Sequence, residues 1–289
     1  MSTLDSHLHL WDPCALRYDW LRELPALNRP FLPAQLAEDA QSPKAAIVVQ
    51  ADCAAQQALQ EVAWINQLAE NSPIELAGIV AWAPLDKGSA VAPYLRHLRE
   101  LPRVVGIRRS LQNEPLDLFY RADYREGLLA AAREGFVLDI CVRASQLTAL
   151  YDLLAWLYQR APETQVVLEH MGKPAIADNR WPEWREAFTA LAGFPHLACK
   201  ISGLPTEADW QSWQPEQLRP WIQLAITVFG PQRCLFGGDW PVVELAGGYA
   251  RWQACVQEAI AHLTLEEINA VMGENARRIY LTQSAGGNI

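Results

Sequence analysis

Three histidines and one aspartate stand at the ends of apolar segments that are far apart in the chain. His7 and His9 close the first of these segments, His170 ends the sixth and Asp239 ends the eighth. Strand side chains alternate between faces, so His7 and His9 are expected to point the same way, with Asp5 beside them. Adjacent imidazoles can share a metal ion or one substrate oxygen, and a nearby carboxylate can accept a proton from water. These residue types therefore indicate a hydrolytic or metal-binding site.

Each of the four residues has a purely structural interpretation when it is taken alone. Two buried histidines can simply be hydrogen-bonded to backbone, and an aspartate ahead of a proline suits a turn. What favours a shared site is that all four lie at predicted strand ends, which a barrel gathers around one mouth. The remaining histidines lie in predicted helices or at a strand start and are interpreted as surface or structural residues; they are His97, His196 and His262.

Basic and aromatic residues at other strand ends are candidates for holding a substrate. Arg108 and Arg109 end the fourth segment, and alternation predicts that only one of them faces the pocket. Lys200 lies within the seventh segment, where a charge needs a polar partner or a polar mouth. Trp82 and Trp240 follow the third and eighth segments, and their flat rings could line a sugar-like ligand. For each basic residue an ion pair at the barrel rim is an equally good interpretation.

The segments that would position these residues alternate between strand-like and helical patterns. Eight short apolar segments read as buried parallel strands; they are 4–10, 45–51, 76–83, 104–110, 136–142, 165–170, 197–202 and 234–239. Amphipathic helices are expected at 56–70, 90–101, 123–134, 146–160, 181–192, 215–229 and 249–262. A capped helix begins after Thr264 and a last one covers 275–281, whereas the proline-rich segment 11–44 is expected to be irregular.

This alternation predicts an α/β fold, a (β/α)8 TIM barrel that is either regular or distorted, as one domain over residues 1–289. A doubly wound open sheet is the alternative. No G-x-G-x-x-G or G-x-x-x-x-G-K-[ST] motif supports that alternative.

Composition excludes several classes of function. Lys plus Arg number 24 and Asp plus Glu number 33, for a formal net charge of −9, and no basic cluster is present, so nucleic acid is not an expected partner. No uncharged apolar stretch reaches the roughly 18–20 residues of a membrane helix, so no membrane partner is expected either. The first residues do not resemble a signal peptide, and the six cysteines are widely spread without a C-x-x-C pair. The expectation is a cytoplasmic protein with reduced thiols.

A series of short motifs resembles one known family. The opening DSHLHLWD at 5–12 is similar to that of amidohydrolase-superfamily proteins of the amidohydrolase-2 type. Six further motifs narrow the resemblance to the sugar-lactonase branch; they are YDWL (18–21), GIR (106–108), LQNEP (111–115), EHMGKP (169–174), CKISGL (199–204) and FGGDWPV (236–242). The motifs occur in order, and the resemblance as a whole runs from about residue 4 to about residue 282. The resemblance implies a distorted barrel and roles for His7, His9, His170 and Asp239 in opening a lactone.

Three positions depart from the usual pattern of relatives. Glu169 stands where relatives usually carry Asp, and Gly238 stands where they usually carry Ser. Arg108 stands at the strand where binuclear members of the superfamily place a bridging ligand, so a centre with two metal ions is disfavoured. The first two departures concern the fine specificity of the site more than its reaction class.

The expected reaction is hydrolysis of a sugar-derived lactone, a small-molecule partner, to its hydroxy acid. Asp239 would accept a proton from the attacking water. His7, His9 and His170 would stabilise the oxyanion, either directly, so that no cofactor is required, or through one divalent metal held with Asp239. Three imidazoles and a carboxylate suit zinc better than magnesium. The sequence does not define the sugar, the ring size or the oligomeric state.

Two other functions fit part of the pattern. A metal-dependent non-oxidative decarboxylase of the same superfamily shares the His and Asp set, although the contexts of His170 and Asp239 argue against it. A non-catalytic sugar-acid binding protein would also use such a barrel. A binding protein, however, gains nothing from a positioned base.

Overall fold

Eight short parallel strands form one sheet in the order in which they occur in the chain. The computed structural model describes residues 3–39 and 41–282. The strands are β1 (Leu4–Leu8), β2 (Ala45–Val49), β3 (Glu75–Ala81), β4 (Val104–Arg108), β5 (Val137–Ile140), β6 (Val166–Leu168), β7 (Leu197–Ile201) and β8 (Cys234–Phe236). Each pairs in parallel with the next. The predicted (β/α)8 barrel is confirmed, and the open-sheet alternative is wrong.

The barrel closes between β1 and the segment that follows β8. The backbone N–H of Asp239 donates to the carbonyl of His7, and the N–H of His9 donates to the carbonyl of Trp240, both at 2.8 Å. The residues that the sequence marks for chemistry therefore also form the seam of the barrel. A change of backbone here would alter both closure and the site.

Branched apolar side chains fill the interior of the barrel, as expected for strands buried on both faces. Ile47, Val80, Val137 and Leu235 belong to one buried cluster. Residues of the carboxyl-terminal segment, including Tyr280, complete this cluster. That segment is π-helical over Arg277–Leu281, close to the predicted helix at 275–281.

Helices surround the strands and match the predicted ones to within a few residues at each end. They are α1 (Pro33–Ala37), α2 (Ala58–Ala69), α3 (Ala92–Glu100), α4 (Ala122–Arg133), α5 (Leu147–Tyr158), α6 (Trp181–Leu191), α7 (Leu204–Glu207), α8 (Pro215–Phe229), α9 (Tyr249–Ala259) and α10 (Leu265–Asn269). Thr264 caps α10 in a reciprocal arrangement with Glu267, as its sequence predicts. Within the described ranges, no helix has the length and apolar character that crossing a membrane requires.

The segment between β1 and β2 folds over the end of the barrel. It is irregular, as predicted, apart from α1 and the 3₁₀ turns Asp19–Glu23 and Pro25–Leu27. Trp20 donates from its indole to the carbonyl of Ala51, and Tyr18 donates from its hydroxyl to Glu61 at 3.3 Å. These bonds tie the segment to the end of β2 and to α2, so it becomes a wall of the site.

Several strands are shorter than the apolar segments that predicted them. β6 ends at Leu168 and β8 ends at Phe236, so His170 and Asp239 lie in the loops just after the strands. His9 likewise follows the last residue of β1. The loop geometry, rather than strand alternation, therefore sets the direction of these side chains.

Candidate active site

A cavity of about 720 Å³ opens at the carboxyl-terminal ends of the strands. His9, His170, Asp239 and Arg108 line it. His7 lies directly beneath and is fully buried. The structure thus brings together the four residues predicted to form the chemical site, at the end of the barrel where active sites of this fold lie.

His7, His9 and Asp239 form a tight triangle of possible ligands. The Nε2 atoms of His7 and His9 are 3.1 Å apart, and Asp239 Oδ1 lies 3.7 Å from the first and 3.6 Å from the second. Tetrahedral zinc ligands at about 2.0–2.1 Å from the ion are separated by roughly 3.3 Å, so the triangle fits such an ion. His170 belongs instead to a second group with His7 and Glu169. The predicted ligand set of four is therefore divided between two overlapping groups.

Hydrogen-bond partners define which nitrogen of each imidazole carries a proton. His9 Nδ1 lies 2.8 Å from the carbonyl of Val49, which can only accept, so this nitrogen is protonated and Nε2 carries the lone pair. Lys200 Nζ lies 3.2 Å from His7 Nδ1, and an ammonium can only donate. The contact with Lys200 favours a proton on His7 Nε2, donated to His9, whereas Glu169 Oε1, at 3.3 Å from Nδ1, favours the other tautomer.

His170 adopts a backbone conformation that is rare for a residue with a side chain. Its φ is +52°, and the following Met171 has a φ of +54°. The Nδ1 atom is 2.9 Å from Ser202 Oγ, which leaves Nε2 as the ring nitrogen free to meet a ligand. A Cβ on Gly203 would lie 2.6 Å from the same Nδ1. The glycine is thus required for the close approach of this ring to β7.

Burial determines the charge of the central groups. It raises the pKa of Asp239 to about 7, against the opposing effects of Lys173 and Arg108. It lowers the pKa of His9 to about 3, with Arg108 adding to the effect. Burial likewise holds the pKa of His7 and of His170 well below the usual range. At neutral pH the imidazoles are uncharged and Asp239 lies near its midpoint, as suits a general base.

A chain of paired charges lies below the cavity. Lys200 Nζ is 2.5 Å from Asp139 Oδ2, and Tyr280 donates to the other carboxylate oxygen at 2.7 Å. Lys200 also lies 3.6 Å from Glu169 Oε1, while Arg108 donates to Glu169 Oε2 at 3.0 Å. Burial alone would raise the pKa of Glu169, but the cations of Arg108 and Lys200 outweigh it and hold that pKa below its usual range.

The basic residues expected to contact substrate lie at different depths. Lys200 is fully buried and does not line the cavity, so the expected substrate contact is not made; its ammonium instead supports His7. Arg108 does line the cavity, although two of its nitrogens are already bound to Glu169 and Gln50. Arg109 also lines the cavity and pairs with Glu114 at 2.7 Å, so both arginines reach it.

The predicted aromatic wall is formed by other tryptophans. Trp82 packs against Tyr94 and Trp240 packs against Phe31, and neither lines the cavity. Trp11 and Trp20 line it instead. The rings of Trp82 and Trp240 each pack against another aromatic side chain instead, so a contact of Trp82 or Trp240 with substrate stays a prediction. Trp20, within a motif that carries the family resemblance, was the available signal for the wall of the cavity.

Asp5 does not join the two histidines of β1. Its carboxylate accepts from the backbone N–H groups of His7 and Gly238 at 2.8 and 2.9 Å. The register of β1 on β2 shifts between Asp5 and Leu8, so simple alternation fails there. A Cβ at Gly238 would meet Asp5 Oδ2 and the ring of Tyr249. Asp5 therefore holds the seam of the barrel and takes no part in the cavity.

Two contributors to the site were not singled out as site residues from sequence. Glu169 contacts Arg108 and also lies beside the imidazole of His7. Ser202 positions His170. The sequence marked Glu169 only as a departure from relatives beside His170, without assigning it a contact. A lone serine such as Ser202 offers no comparable signal.

Known proteins resemble this chain along nearly its whole length. The amidohydrolase family model matches residues 4–281. An L-fucono-1,5-lactonase from Burkholderia multivorans is 33% identical over 292 residues, which cover 96% of this chain and 95% of the relative. A crystal structure of an amidohydrolase from Burkholderia multivorans with bound HEPES superimposes with a TM-score of 0.85 at 31% identity, covering 97% of this chain and 99% of that chain. A second crystal structure from that species, with bound zinc, has a TM-score of 0.84 at the same identity and coverage. This chain belongs to the amidohydrolase family.

Proposed function

We propose that this protein hydrolyses a neutral, sugar-derived lactone to its hydroxy acid. The observation that carries the proposal is the convergence of a buried carboxylate, Asp239, with His7, His9 and His170 at one cavity, where Asp239 Oδ1 lies 3.6–3.7 Å from two imidazole nitrogens. Burial raises the pKa of Asp239 toward neutrality. Such a group can take a proton from water at neutral pH. The similarity to an L-fucono-1,5-lactonase supports a sugar lactone as the substrate class.

In the proposed mechanism, Asp239 carries the proton through both halves of the reaction. As a carboxylate it accepts a proton from a water molecule while the water oxygen attacks the lactone carbonyl. The tetrahedral intermediate then breaks its bond to the ring oxygen, and Asp239 returns the proton to that oxygen as it leaves. Water is thereby added across one ester bond, and the carboxylate is restored. A positioned base contributes roughly 10²- to 10⁴-fold to such a step.

His170 is the best-placed protein donor for the developing oxyanion. His170 lines the cavity, and in the tautomer in which Ser202 donates to Nδ1 the neutral ring carries its proton on Nε2. A donor of this kind is worth about 10²- to 10³-fold. A divalent ion held by His7, His9 and Asp239 would supply further positive charge to polarise the carbonyl. Zinc suits this donor set, since two imidazole nitrogens and a carboxylate oxygen are typical zinc ligands.

The charges around the cavity favour a substrate without a net charge. Each cation that lines the cavity already has a carboxylate partner: Arg108 has Glu169, Arg109 has Glu114, and Lys173 has Glu207 at 3.5 Å. Further carboxylates line the outer wall, at Asp19, Glu23 and Asp52. Asp19 pairs with Arg17 and Arg22, and Asp52 lies 4.0 Å from Arg108, which it shares with Glu169. A polyhydroxylated neutral lactone can use these groups as hydrogen-bond partners. A lactone bearing carboxylates would meet like charges.

Proton release from a panel of lactones tests the proposal. The panel includes L-fucono-, L-rhamnono- and L-galactono-lactones in weak buffer, with the spontaneous rate subtracted. We expect first-order acidification with at least one neutral sugar lactone, and loss of that activity in Asp239→Asn. Absence of turnover with every lactone, or release of CO₂ from an aromatic acid instead, would contradict the assignment.

A further inference from the structure

His7 Nδ1 faces two side chains that make opposite demands on it. Lys200 Nζ lies at 3.2 Å and Glu169 Oε1 lies at 3.3 Å. An ammonium can only donate a hydrogen bond, whereas a carboxylate can only accept one. All three side chains are fully buried, so water cannot replace either partner. His7 can therefore satisfy only one of the two neighbours at a time.

Without a metal ion, the geometry satisfies Lys200. Its ammonium donates to His7 Nδ1, and the proton on His7 Nε2 meets the lone pair of His9 Nε2 at 3.1 Å. Glu169 Oε1 is then left as a buried oxygen with no hydrogen-bond partner. A buried polar atom without a partner costs free energy, so in this arrangement Glu169 Oε1 destabilises the folded protein.

Binding of a metal ion to the triangle of His7, His9 and Asp239 requires the other arrangement. His7 must present a lone pair on Nε2, so its proton must sit on Nδ1. Glu169 Oε1 is the carboxylate oxygen beside that nitrogen, at 3.3 Å, and a small rotation of either side chain is needed to align the two as a hydrogen bond. We propose that Glu169 is the positioning residue that makes His7 a metal ligand, that Lys200 opposes it, and that the balance between the two sets the affinity of the site for zinc. This inference rests on the proposed zinc site and is independent of lactone hydrolysis.

Other contacts keep both competitors in place. Asp139 holds Lys200 at 2.5 Å and is itself held by Tyr280, so the ammonium stays beneath His7. Arg108 holds the second oxygen of Glu169 at 3.0 Å, which leaves Oε1 directed at the imidazole layer. Carboxylates that orient a metal-binding histidine commonly change metal affinity by about 10- to 100-fold. The local geometry gives Glu169 such a position.

Zinc affinity of substituted proteins tests the two opposing roles. Metal-free protein is titrated with zinc against a chromophoric chelator at one fixed pH and ionic strength. Glu169→Gln is expected to weaken binding by about 10- to 100-fold. Lys200→Met is expected to tighten it by about tenfold, the ratio that corresponds to one hydrogen bond from a charged donor. Glu114→Gln and Lys87→Met are the matched controls, because they make the same kinds of charge change at residues that contact none of His7, Glu169, Lys200 and Asp239.

The controls are expected to shift zinc affinity by no more than roughly threefold, as for exposed or partly exposed charges. If they shift it as much as Glu169→Gln and Lys200→Met do, the effect is general electrostatics and the inference fails. If neither the unsubstituted protein nor Lys200→Met binds zinc, the inference also fails. Lactone turnover measured on the same preparations is a separate readout, so that failure would leave the proposed function standing.

A measurement on the unsubstituted protein covers the case in which Lys200→Met does not fold. Long-range ¹⁵N–¹H correlation spectra of the histidine rings report which nitrogen is protonated, and the His7 signals are assigned by their loss in His7→Gln. We expect the Nε2–H form of His7 without metal and the Nδ1–H form after zinc is added. The same form in both states would overturn the inference.

Discussion

Asp239 combines two properties that a general base needs, namely a protonation midpoint near neutrality and access to a cavity. Both follow from its place in the loop just after β8, where burial raises its pKa to about 7. Its φ of +54° turns the carboxylate toward His9 and His7 rather than along the strand. The conformation is uncommon for aspartate, and such strain is typical of functional positions.

Loss of this carboxylate should remove catalysis while leaving the cavity in place. In Asp239→Asn we expect kcat/KM for the best lactone to fall by about 10²- to 10⁴-fold. In the unsubstituted protein, kcat/KM should rise with pH through about 7, because only the carboxylate accepts a proton. Initial rates from pH 5.5 to 8.5, corrected for spontaneous opening of the lactone, measure both. A flat profile together with near-normal turnover would exclude Asp239 as the base.

The same raised pKa predicts that Asp239→Asn stabilises the folded protein at alkaline pH. A carboxyl group with a folded-state pKa above its unfolded value contributes stability that is complete below the unfolded pKa and is lost as pH rises through the folded pKa. The pKa of Asp239 is 3.8 in the unfolded chain and about 7 in the folded protein. The stability lost between these two pH values therefore adds up to about 4 kcal/mol once the pH is above neutrality. An uncharged asparagine avoids this loss.

Urea unfolding at two pH values measures the effect. The variant should be more stable than the unsubstituted protein at pH 8, and the advantage should shrink by about 2 kcal/mol at pH 5.5, where the folded aspartate is mostly protonated. A difference in the free energy of unfolding that does not change with pH would show that Asp239 is not titrating in this range.

Loops after strands, rather than the strands themselves, place the reacting groups. The loop after β6 holds His170 with a left-handed backbone, and its ring packs against Gly203 after β7. The glycine has a φ of +66° and allows an approach that a Cβ would block. Two neighbouring loops are therefore fitted to each other at the ring of His170.

Gly203→Ala should consequently damage the site more than the fold. A Cβ at 2.6 Å from His170 Nδ1 displaces the ring, and the positive φ adds strain of about 1–2 kcal/mol. We expect at least about a tenfold loss of kcat, since small displacements of a reacting group are costly. Gly135→Ala is the matched control, with a φ of +75° and only an ordinary contact at 3.6 Å. The control should lose similar stability but keep its kcat; equal losses of kcat in both variants would contradict the fit described here.

At the scale of strands and helices, the sequence predicts the elements well but the directions of their side chains only in part. Apolar segments and amphipathic periodicity locate the eight strands and the main helices, because burial on both faces of a strand leaves a clear pattern. The convergence of His7, His9, His170 and Asp239 follows from their places at strand ends. Alternation fails for Asp5, where the register shifts, and it does not reveal that Trp82 and Trp240 pack against other aromatic rings.

Lys200 shows a different limit of sequence-based prediction. Its place within a buried strand indicates that the charge must have a partner, but the sequence does not reveal whether that partner is substrate or protein. The partners are Asp139 and Glu169, from two other strand regions, and pairing of this kind depends on the closed barrel. Local pattern carries no information on such long-range contacts.

The whole molecule carries a net charge of −9, and the cavity mouth shares its sign. The cations at the mouth are paired. Glu23 adds negative charge to the outer wall, as does Asp52, which shares Arg108 with Glu169. Under the proposed function, hydrolysis of a neutral lactone creates an anion, so the wall that would accept the substrate would repel the product. Discrimination against anionic lactones and release of the hydroxy acid are then two effects of one charge distribution.

Removing two of these charges should weaken that discrimination. In the double variant Glu23→Gln, Asp52→Asn, the inhibition constant of the hydroxy-acid product is expected to fall by about fivefold at low salt, and KM for a lactone bearing carboxylates, such as 2-pyrone-4,6-dicarboxylate, should fall similarly. KM for the neutral lactone should change little, because its hydrogen-bond partners are retained as amides. Both effects should diminish at about 0.5 M salt, where charges are screened over a few ångströms.

The double variant Glu75→Gln, Glu100→Gln is the control, since it makes the same change in net charge at exposed positions away from the cavity wall. An equal response of the control would assign the effect to net charge, and a response that persists in high salt would assign it to altered packing.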